Sequence, residues 1–318
     1  MANSNLNKAK SDKNDEFYTQ LSDIENEMRH YQAHFKGKVI YCNCDDPLAS
    51  NFFKFFFLNF ERLGLKKLIA TCYQSIDVGA RTTLSSRNSV KIEYAGSNVP
   101  LSEVKADNTV ITPLKGDGDF RSDECIEILK TADIVVTNPP FSLFREYIDQ
   151  LTEHDKSFII VGSMNAITYK EFFPFLRDDK VWLGNKTGGL EFEVPMSFEQ
   201  KNTYIKNNKK YAKFGNITWF TNLDIAKRHQ DIVLFKTYNP DDYPKYDAYD
   251  AIEVSKVSDI PLGYKGVMGV PITFLTKYNP SQFEVLGLDR YIEDNPNYGR
   301  RFKIGGKEKY ARLLIRAR

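Results

Sequence analysis

Apolar residues recur at spacings of three and four from Thr19 to Phe35, through Leu21, Ile24, Met28, Tyr31 and Phe35. That spacing predicts an amphipathic helix. The period then changes. Lys38 to Cys42 (KVIYC) reads as a short β-branched strand, Asn43 to Pro47 as a turn, Ala49 to Leu63 as a helix stopped by Gly64, and Lys67 to Cys72 (KLIATC) as a second strand. Strand, tight turn, helix and strand in about 35 residues form a βαβ unit, which implies a right-handed crossover between parallel strands.

The alternation resumes after a polar insertion at 74–113. Ser122 is placed to cap a helix whose first turn carries Asp123 and Glu124, favourable against the helix dipole. Asp133 to Thr137 (DIVVT) is then a strand, Ser142 to Leu151 a helix, Ser157 to Gly162 a strand, Tyr169 to Arg177 a helix and Lys180 to Gly184 a strand. The expected fold is α/β, a doubly wound, Rossmann-like sheet. Beyond Asn185 the pattern breaks into shorter pieces. Strand-like runs stand at Ile217 to Thr221 and Ile232 to Tyr238, and the last stretch of the tail looks helical. The organisation expected is a mobile 1–14, a main domain over 15–185 and a second region over 186–318.

Composition adds exclusions. Of 318 residues, 42% are hydrophobic and 14% aromatic, enough for a large core and too many for a mainly disordered chain. No apolar run approaches the roughly 18 residues of a membrane span, and the polar start resembles no signal peptide, so a soluble, cytoplasmic protein is expected. A net charge of +2 carries no global field for nucleic acid. Local basic segments remain. Lys201 to Lys213 holds five lysines and no acid, interleaved with Tyr204 and Tyr211, and the tail from Asn297 has eight Lys/Arg against one Glu. Lys201, Lys206, Lys209, Lys210, Lys213, Arg300 and Arg301 are therefore candidate phosphate contacts, with a solvated basic face as the ordinary alternative.

Cys42, Cys44, Cys72 and Cys125 lack zinc spacing and read as buried free thiols; His30, His34, His154 and His229 show neither metal nor triad spacing. No metal is expected. Phe52, Phe53, Phe55, Phe56 and Phe57 crowd one helix and read as core, whereas Trp219 to Asn222 suits a core strand or a DNA contact equally.

The sharpest chemical signal is Asn138-Pro139-Pro140-Phe141, directly after the apolar strand 133–137. Ligands of open α/β sheets bind outside the carboxyl ends of the strands, where this tetrapeptide falls. Two prolines fix φ and remove two donors, so carbonyls near Asn138 and Pro139 can be aimed as acceptors without competing N–H groups. Beside the Asn carbonyl they form a pair of acceptors for one exocyclic amino group, and Phe141 can stack on a flat ring. The alternative is a Pro-rich turn that buries Phe141.

With these residues the chain resembles the EcoRI-type adenine-specific DNA methyltransferases, a group within the amino-methyltransferases that carry Asn/Asp-Pro-Pro-aromatic. The resemblance covers most of the chain. It rests on Asp15-Glu16-Phe17-Tyr18-Thr19, on Tyr41 to Pro47 (YCNCDDP), on Lys115 to Arg121 (KGDGDFR), on Asn138 to Tyr147 (NPPFSLFREY), on Gly269 to Phe274 (GVPITF) and on Lys277 to Pro280 (KYNP). The resemblance implies methyl transfer from S-adenosylmethionine to N6 of an adenine flipped out of double-stranded DNA. Asn138, Pro139, Pro140 and Phe141 would be the catalytic segment. Phe17, Tyr18, Thr19, Asn43, Cys44, Asp45, Asp46, Pro47, Asp117, Asp119 and Phe120 would line the cofactor, with Asp119 accepting from its adenine amino group and Phe120 on its face. The main domain would be a methyltransferase sheet, and 186–318 would complete it and supply target recognition. A monomer is implied, paired in function with a cognate restriction endonuclease without direct contact.

Two features depart from the wider methyltransferase pattern. The Gly-x-Gly turn usual after the first strand is replaced by Cys42 to Asp46, and the strand ending at Cys72 lacks an acidic ribose-binding residue. Two other functions share the motif or the fold: methylation of RNA or of a protein glutamine, and a catalytically silent nucleic-acid binder.

Overall fold

The structure, a computed structural model, describes residues 18–44, 50–71, 89–96, 110–199, 202–292 and 299–318. The expectations placed on 1–14, Phe17, Asp45, Asp46, Pro47, Cys72, Lys201 and much of 74–113 lie outside them. The chain divides into two compact units, one of residues up to Met164 with Gly184–Leu223, the other of Asn165–Leu183 with Asp224–Arg318.

In the first unit, β1 (Tyr18–Thr19) leads into α1 (Leu21–Met28) and α2 (Gln32–Phe35). The single helix expected over 19–35 is thus broken at 29–31. The break turns Tyr31 wholly inward, where its hydroxyl donates to Glu27 at 2.8 Å. Next come β2 (Val39–Asn43), α3 (Asn51–Leu58), α4 (Phe60–Leu63) and β3 (Lys67–Thr71). Ser50 caps α3 by accepting from Phe52 N, and Gly64 ends α4 at φ 62°, the left-handed conformation that glycine adopts without a side-chain clash.

The strands β4 (Val90–Tyr94) and β5 (Val110–Pro113) lie within the polar insertion and extend the sheet. They precede α5 (Asp123–Thr131), capped by Ser122, then β6 (Ile134–Thr137), α6 (Phe144–Glu153) and β7 (Ser157–Ser163). The chain continues through α7 (Phe173–Arg177), which belongs to the second unit, to β8 (Trp182–Thr187), β9 (Leu190–Val194), β10 (Thr203–Lys206), β11 (Lys209–Phe214) and β12 (Ile217–Thr221).

Eight strands form one mixed sheet in the order β5-β4-β3-β2-β6-β7-β12-β8. The central β3, β2, β6 and β7 run parallel, whereas β4, β5 and β12 pair antiparallel. The chain proceeds from β2 to β3 on one side and returns as β6 on the other, so the order reverses between β2 and β6. A crevice opens at such a point. A smaller sheet has the order β1-β9-β11-β10.

The phenylalanine-rich helix is core, as its pattern implied. Phe52, Phe55 and Phe56 are buried, and Phe56 meets Phe35 edge-on at 5.2 Å. Trp219 is fully buried against Phe52 at 5.9 Å, which decides its role as a core strand residue rather than a DNA contact.

In the second unit, Ile252–Glu253, Met268–Pro271, Arg312–Ala317 and Phe283–Leu288 form a four-stranded sheet in that order. The tail expected to be helical is therefore a strand. Arg312–Ala317 lies between two partners, so Leu313, Leu314 and Ile315 are buried, and a continuous apolar run of that length fits a central strand as well as a helix. Arg312 is held by Glu253 at 2.6 Å, Arg316 by Glu284 at 3.1 Å and Arg318 by the Pro280 carbonyl at 2.7 Å. Of the run expected as a strand at 232–238, only Lys236–Thr237 is one.

Helix α1 is tied to β8 and to β9, strands of different sheets, through two buried acids. Glu27 accepts from the amides of Asn185 at 2.6 Å and Lys186 at 2.8 Å, and Asp23 accepts from Glu191 N at 2.8 Å. Replacing Glu27 by Ala leaves two amides and the Tyr31 hydroxyl without their acceptor. The expected cost is about 2 to 4 kcal/mol, read as a lowered urea midpoint.

Candidate active site

At the carboxyl end of β2, Asn43 is buried and holds two neighbours. Its main-chain oxygen accepts from the Thr137 hydroxyl at the end of β6, and its Oδ1 accepts from the Tyr147 hydroxyl on α6. The amide of Cys44 donates to the Thr71 carbonyl at 3.2 Å, and the Tyr41 and Thr71 hydroxyls meet at 2.6 Å. The ends of β2, β3 and β6 are thereby joined at side-chain level. Cys44 has φ 96°, a backbone conformation that side chains disfavour and glycine adopts freely. The missing Gly-x-Gly turn is thus replaced by one non-glycine residue that takes a glycine-like conformation.

Asn138 follows β6 directly and is 7% exposed; Pro139 is buried, while Pro140 and Phe141 are partly exposed. The Pro140 carbonyl accepts from Leu143 N at 2.9 Å, which closes a turn of 3₁₀ helix over Phe141–Leu143. Helix α6 starts there, and Tyr147 returns from its first turns to Asn43. The Asn-Pro-Pro-Phe segment and the Asn43 turn therefore flank the β2–β6 reversal.

Residues 117–121 lie beside this. Asp117 is exposed, and its Oδ1 accepts from Asp119 N at 3.1 Å. Arg121 grips Asp119 through Nε at 3.0 Å, Nη2 at 2.7 Å and its own amide at 2.8 Å, and reaches Glu146 on α6 at 3.0 Å. The Arg121 hydrogen bonds hold the Asp119 carboxyl below the usual carboxylate range. Phe120 is buried, edge-on to Tyr147 at 5.0 Å, and its carbonyl accepts from Gln150 Nε2 at 3.0 Å. Burial, the largest cause, pushes the Tyr147 hydroxyl well above its ordinary value, so it remains a protonated donor.

On β1, the Thr19 carbonyl accepts from Asn51 Nδ2 at 2.8 Å, which sets β1 against the start of α3. The buried Thr19 hydroxyl has no hydrogen-bond partner among the described residues. Tyr18 is half-buried and pairs with Glu193 of β9. Thr71, Arg121, Thr137 and Tyr147 were not among the residues expected at the site. Arg121 and Tyr147 stand within the strings that carry the resemblance, but their roles depend on contacts 2 and 104 positions away.

The candidate phosphate contacts fall in both units. Lys206, Lys209, Lys210 and Lys213 lie on the β10–β11 hairpin of the first; Lys209 pairs with Glu193 at 3.1 Å and Lys210 donates to the Met196 carbonyl at 3.1 Å. Arg300, exposed, and Arg301, half-exposed, lie in the second. Among the described residues no three His, Cys, Asp or Glu side chains group as metal ligands, and no helix is long and apolar enough to cross a membrane. Cys42 and Cys125 are buried and Cys44 half-buried, and all three carry thiols rather than disulfides.

The family described as adenine-specific methyltransferase EcoRI matches residues 5–318. The chain is 49% identical to the Type II methyltransferase M.EcoRI of Escherichia coli, over 98% of this chain and 95% of that protein. It is 40% identical to M.MgeORF184P of Mycoplasma genitalium and 38% identical to M.MpnI of Mycoplasma pneumoniae, both Type II methyltransferases, over 98% of each chain. No solved structure matches.

Replacing Tyr147 by Phe removes the donor to the buried Asn43 amide oxygen. A loss of about 1 to 3 kcal/mol is expected in chemical denaturation. Replacing Arg121 by Met should raise the titration of the Asp119 carboxyl from its depressed position, measurable by NMR titration. Because the folded carboxyl is depressed, the stabilisation by Arg121 is present above the unfolded value. It is lost as pH falls through the folded one.

Proposed function

The chain belongs to the EcoRI family of adenine-specific methyltransferases, and we propose that its Asn138–Phe141 segment holds the adenine that it methylates at N6. The protein is a site-specific DNA methyltransferase. The observation that carries the site assignment is the place of that segment, at the carboxyl end of β6 beside the order reversal against β2.

Chemistry explains the residue types. The adenine N6 lone pair is delocalised into the ring, so the nitrogen is a weak nucleophile. The Asn138 side-chain oxygen and the Pro139 carbonyl accept its two hydrogens and favour a tetrahedral nitrogen whose lone pair faces the methyl donor. Phe141 stacks on the base after it has left the duplex. Asn138 is no base, so its contribution is positioning and electrostatics, and the N6 proton passes to solvent after transfer. S-adenosylmethionine supplies the electrophilic methyl group.

The residues present suit that cofactor. A buried Thr19 hydroxyl without a partner among the described residues offers a donor and an acceptor beside the start of α3. Cys44 turns the backbone as glycine would, which redirects the chain at the carboxyl end of β2. Tyr18, Thr19, Asn43 and Cys44 hold the methionine and ribose portions, together with Phe17, Asp45, Asp46 and Pro47 from outside the described residues. Asp119 accepts from the adenine amino group on the lone pairs left by Arg121. Asp117 is an exposed acceptor at the rim. Phe120 contributes by backing the site through Tyr147, since its ring is packed there.

The sheet is a Rossmann-like methyltransferase sheet, and residues 186–318 add target recognition. Lys206, Lys209, Lys210, Lys213, Arg300 and Arg301 contact phosphates, with Lys201. The protein acts as a monomer in the bacterial cytoplasm, opposite a cognate restriction endonuclease that it does not touch.

Expression in a methylation-free host tests this, with the Asn138→Ala variant beside the wild type and modification-sensitive sequencing as readout. N6-methyladenine at one short motif, absent with the variant, is expected. Unmodified DNA from the host carrying soluble wild-type protein would overturn the reading in favour of an RNA or protein substrate. Replacing Lys209 and Lys210 by Ala should weaken binding to every DNA sequence alike and flatten its salt dependence.

A further inference from the structure

We propose that the β10–β11 hairpin enters the major groove of the target DNA and that Asn207, Asn208 and Ile205 at its end read an A·T base pair of the recognition sequence. This rests on the DNA methyltransferase reading above and adds to it the element that recognises bases.

The hairpin is built as a projecting ribbon. Strand β10 pairs with β11 from Thr203↔Ala212 to Lys206↔Lys209, whereas the pairing of β11 with β9 stops at Lys210↔Val194. The end from Lys206 to Lys209 therefore extends past the sheet that supports it. Every residue from Tyr204 to Lys209 is exposed. Asn207 and Asn208 have φ 51° and 59°, so the two-residue loop is a type I′ turn, the tight connection that matches the twist of a strand pair. Tyr204 and Tyr211 stack across the strands at 5.4 Å, and Lys209 is tied to Glu193 of β9 at 3.1 Å. Stacking and ion pair stiffen the ribbon.

Its chemistry selects the partner. Residues 202–214 carry four lysines and no acid, a surface complementary to a polyanion. On the edge strand β10, Tyr204 at 44% and Ile205 at 62% exposure present apolar surface that a partner can cover. A two-stranded ribbon fits the major groove, about 12 Å wide, and not the minor groove of about 6 Å. The side chains at the tip are two neutral amides and an aliphatic group. Asn pairs in bidentate fashion with adenine N6 and N7, and an apolar side chain meets the thymine methyl, so the set suits an A·T pair. The flanking lysines lie along phosphates and set the register without reading sequence.

The test uses full-length protein and duplexes that contain the motif found by sequencing. At each A·T pair other than the methylated adenine, 7-deazaadenine removes N7 and uracil removes the thymine methyl. The wild type should bind about tenfold or more weakly when one particular pair is altered. Asn207→Gly and Asn208→Gly, which suit the same turn, should lose the 7-deazaadenine penalty at that pair. Ile205→Ala should lose the uracil penalty there. Variants that keep the wild-type penalties at every position, or that weaken all duplexes alike, overturn base reading by the hairpin while methylation by the wild type stands. Absence of methylation by the wild type removes the underlying reading and this proposal with it.

Discussion

The ends of β2 and β6 stay side by side because one buried asparagine satisfies both. Asn43 receives the Thr137 hydroxyl on its main-chain oxygen and the Tyr147 hydroxyl on its amide oxygen, so the order reversal of the sheet is closed by hydrogen bonds. Buried polar groups cost several kcal/mol when unmet and define one arrangement when met. Burial keeps Tyr147 protonated, so its hydroxyl acts as a donor. Asn138 follows Thr137 in the chain, and two prolines then remove the backbone freedom that would blur its aim. The Asn138 segment is held by buried supports, and Pro140 and Phe141 beside it stay partly exposed.

Carboxylates on α1 hold one strand of each sheet of the same unit, β8 of the larger and β9 of the smaller. Glu27 and Asp23 on α1 accept main-chain amides of Asn185, Lys186 and Glu191, and Asp23 also meets Lys186 Nζ. An acid bound to amide donors is satisfied without a full counter-charge. The consequence runs along the smaller sheet: β9 stands between β1, which sets Thr19 against the start of α3, and β11, which carries the lysine hairpin. Asp23 on α1 thus holds the strand from which both elements are positioned.

Basic residues divide by what the fold does with them. Arg312 is buried with Glu253 and Tyr246, and Arg316 and Arg318 have acceptors within their own unit, so the tail is less available to phosphate than its composition implied. In the hairpin the acids are on β9 rather than between the lysines. Local composition was the same kind of signal in both places, and strand pairing separated them.

Several elements were legible in the sequence for physical reasons. Alternation of β-branched runs with helical periods marks β2, β3, β6 and β7, because a strand buried on both faces must be continuously apolar. Asn-Pro-Pro-Phe marks the end of β6, because two prolines lack the donors that would continue a central strand. Ser122 and Gly64 marked helix ends through cap chemistry that acts over a few residues. Tertiary structure alone decided the rest. The tail became a strand since two partners were waiting for it, two strands inside the polar insertion extended the sheet, and Trp219 turned to the core. Thr137, Tyr147 and Asn43 met across 94 and 104 residues of chain, and Arg121 acquired Glu146 as a second partner. Periodicity and capping are local, so sequence carries them; partners distant in the chain are chosen by packing, which no window of sequence contains.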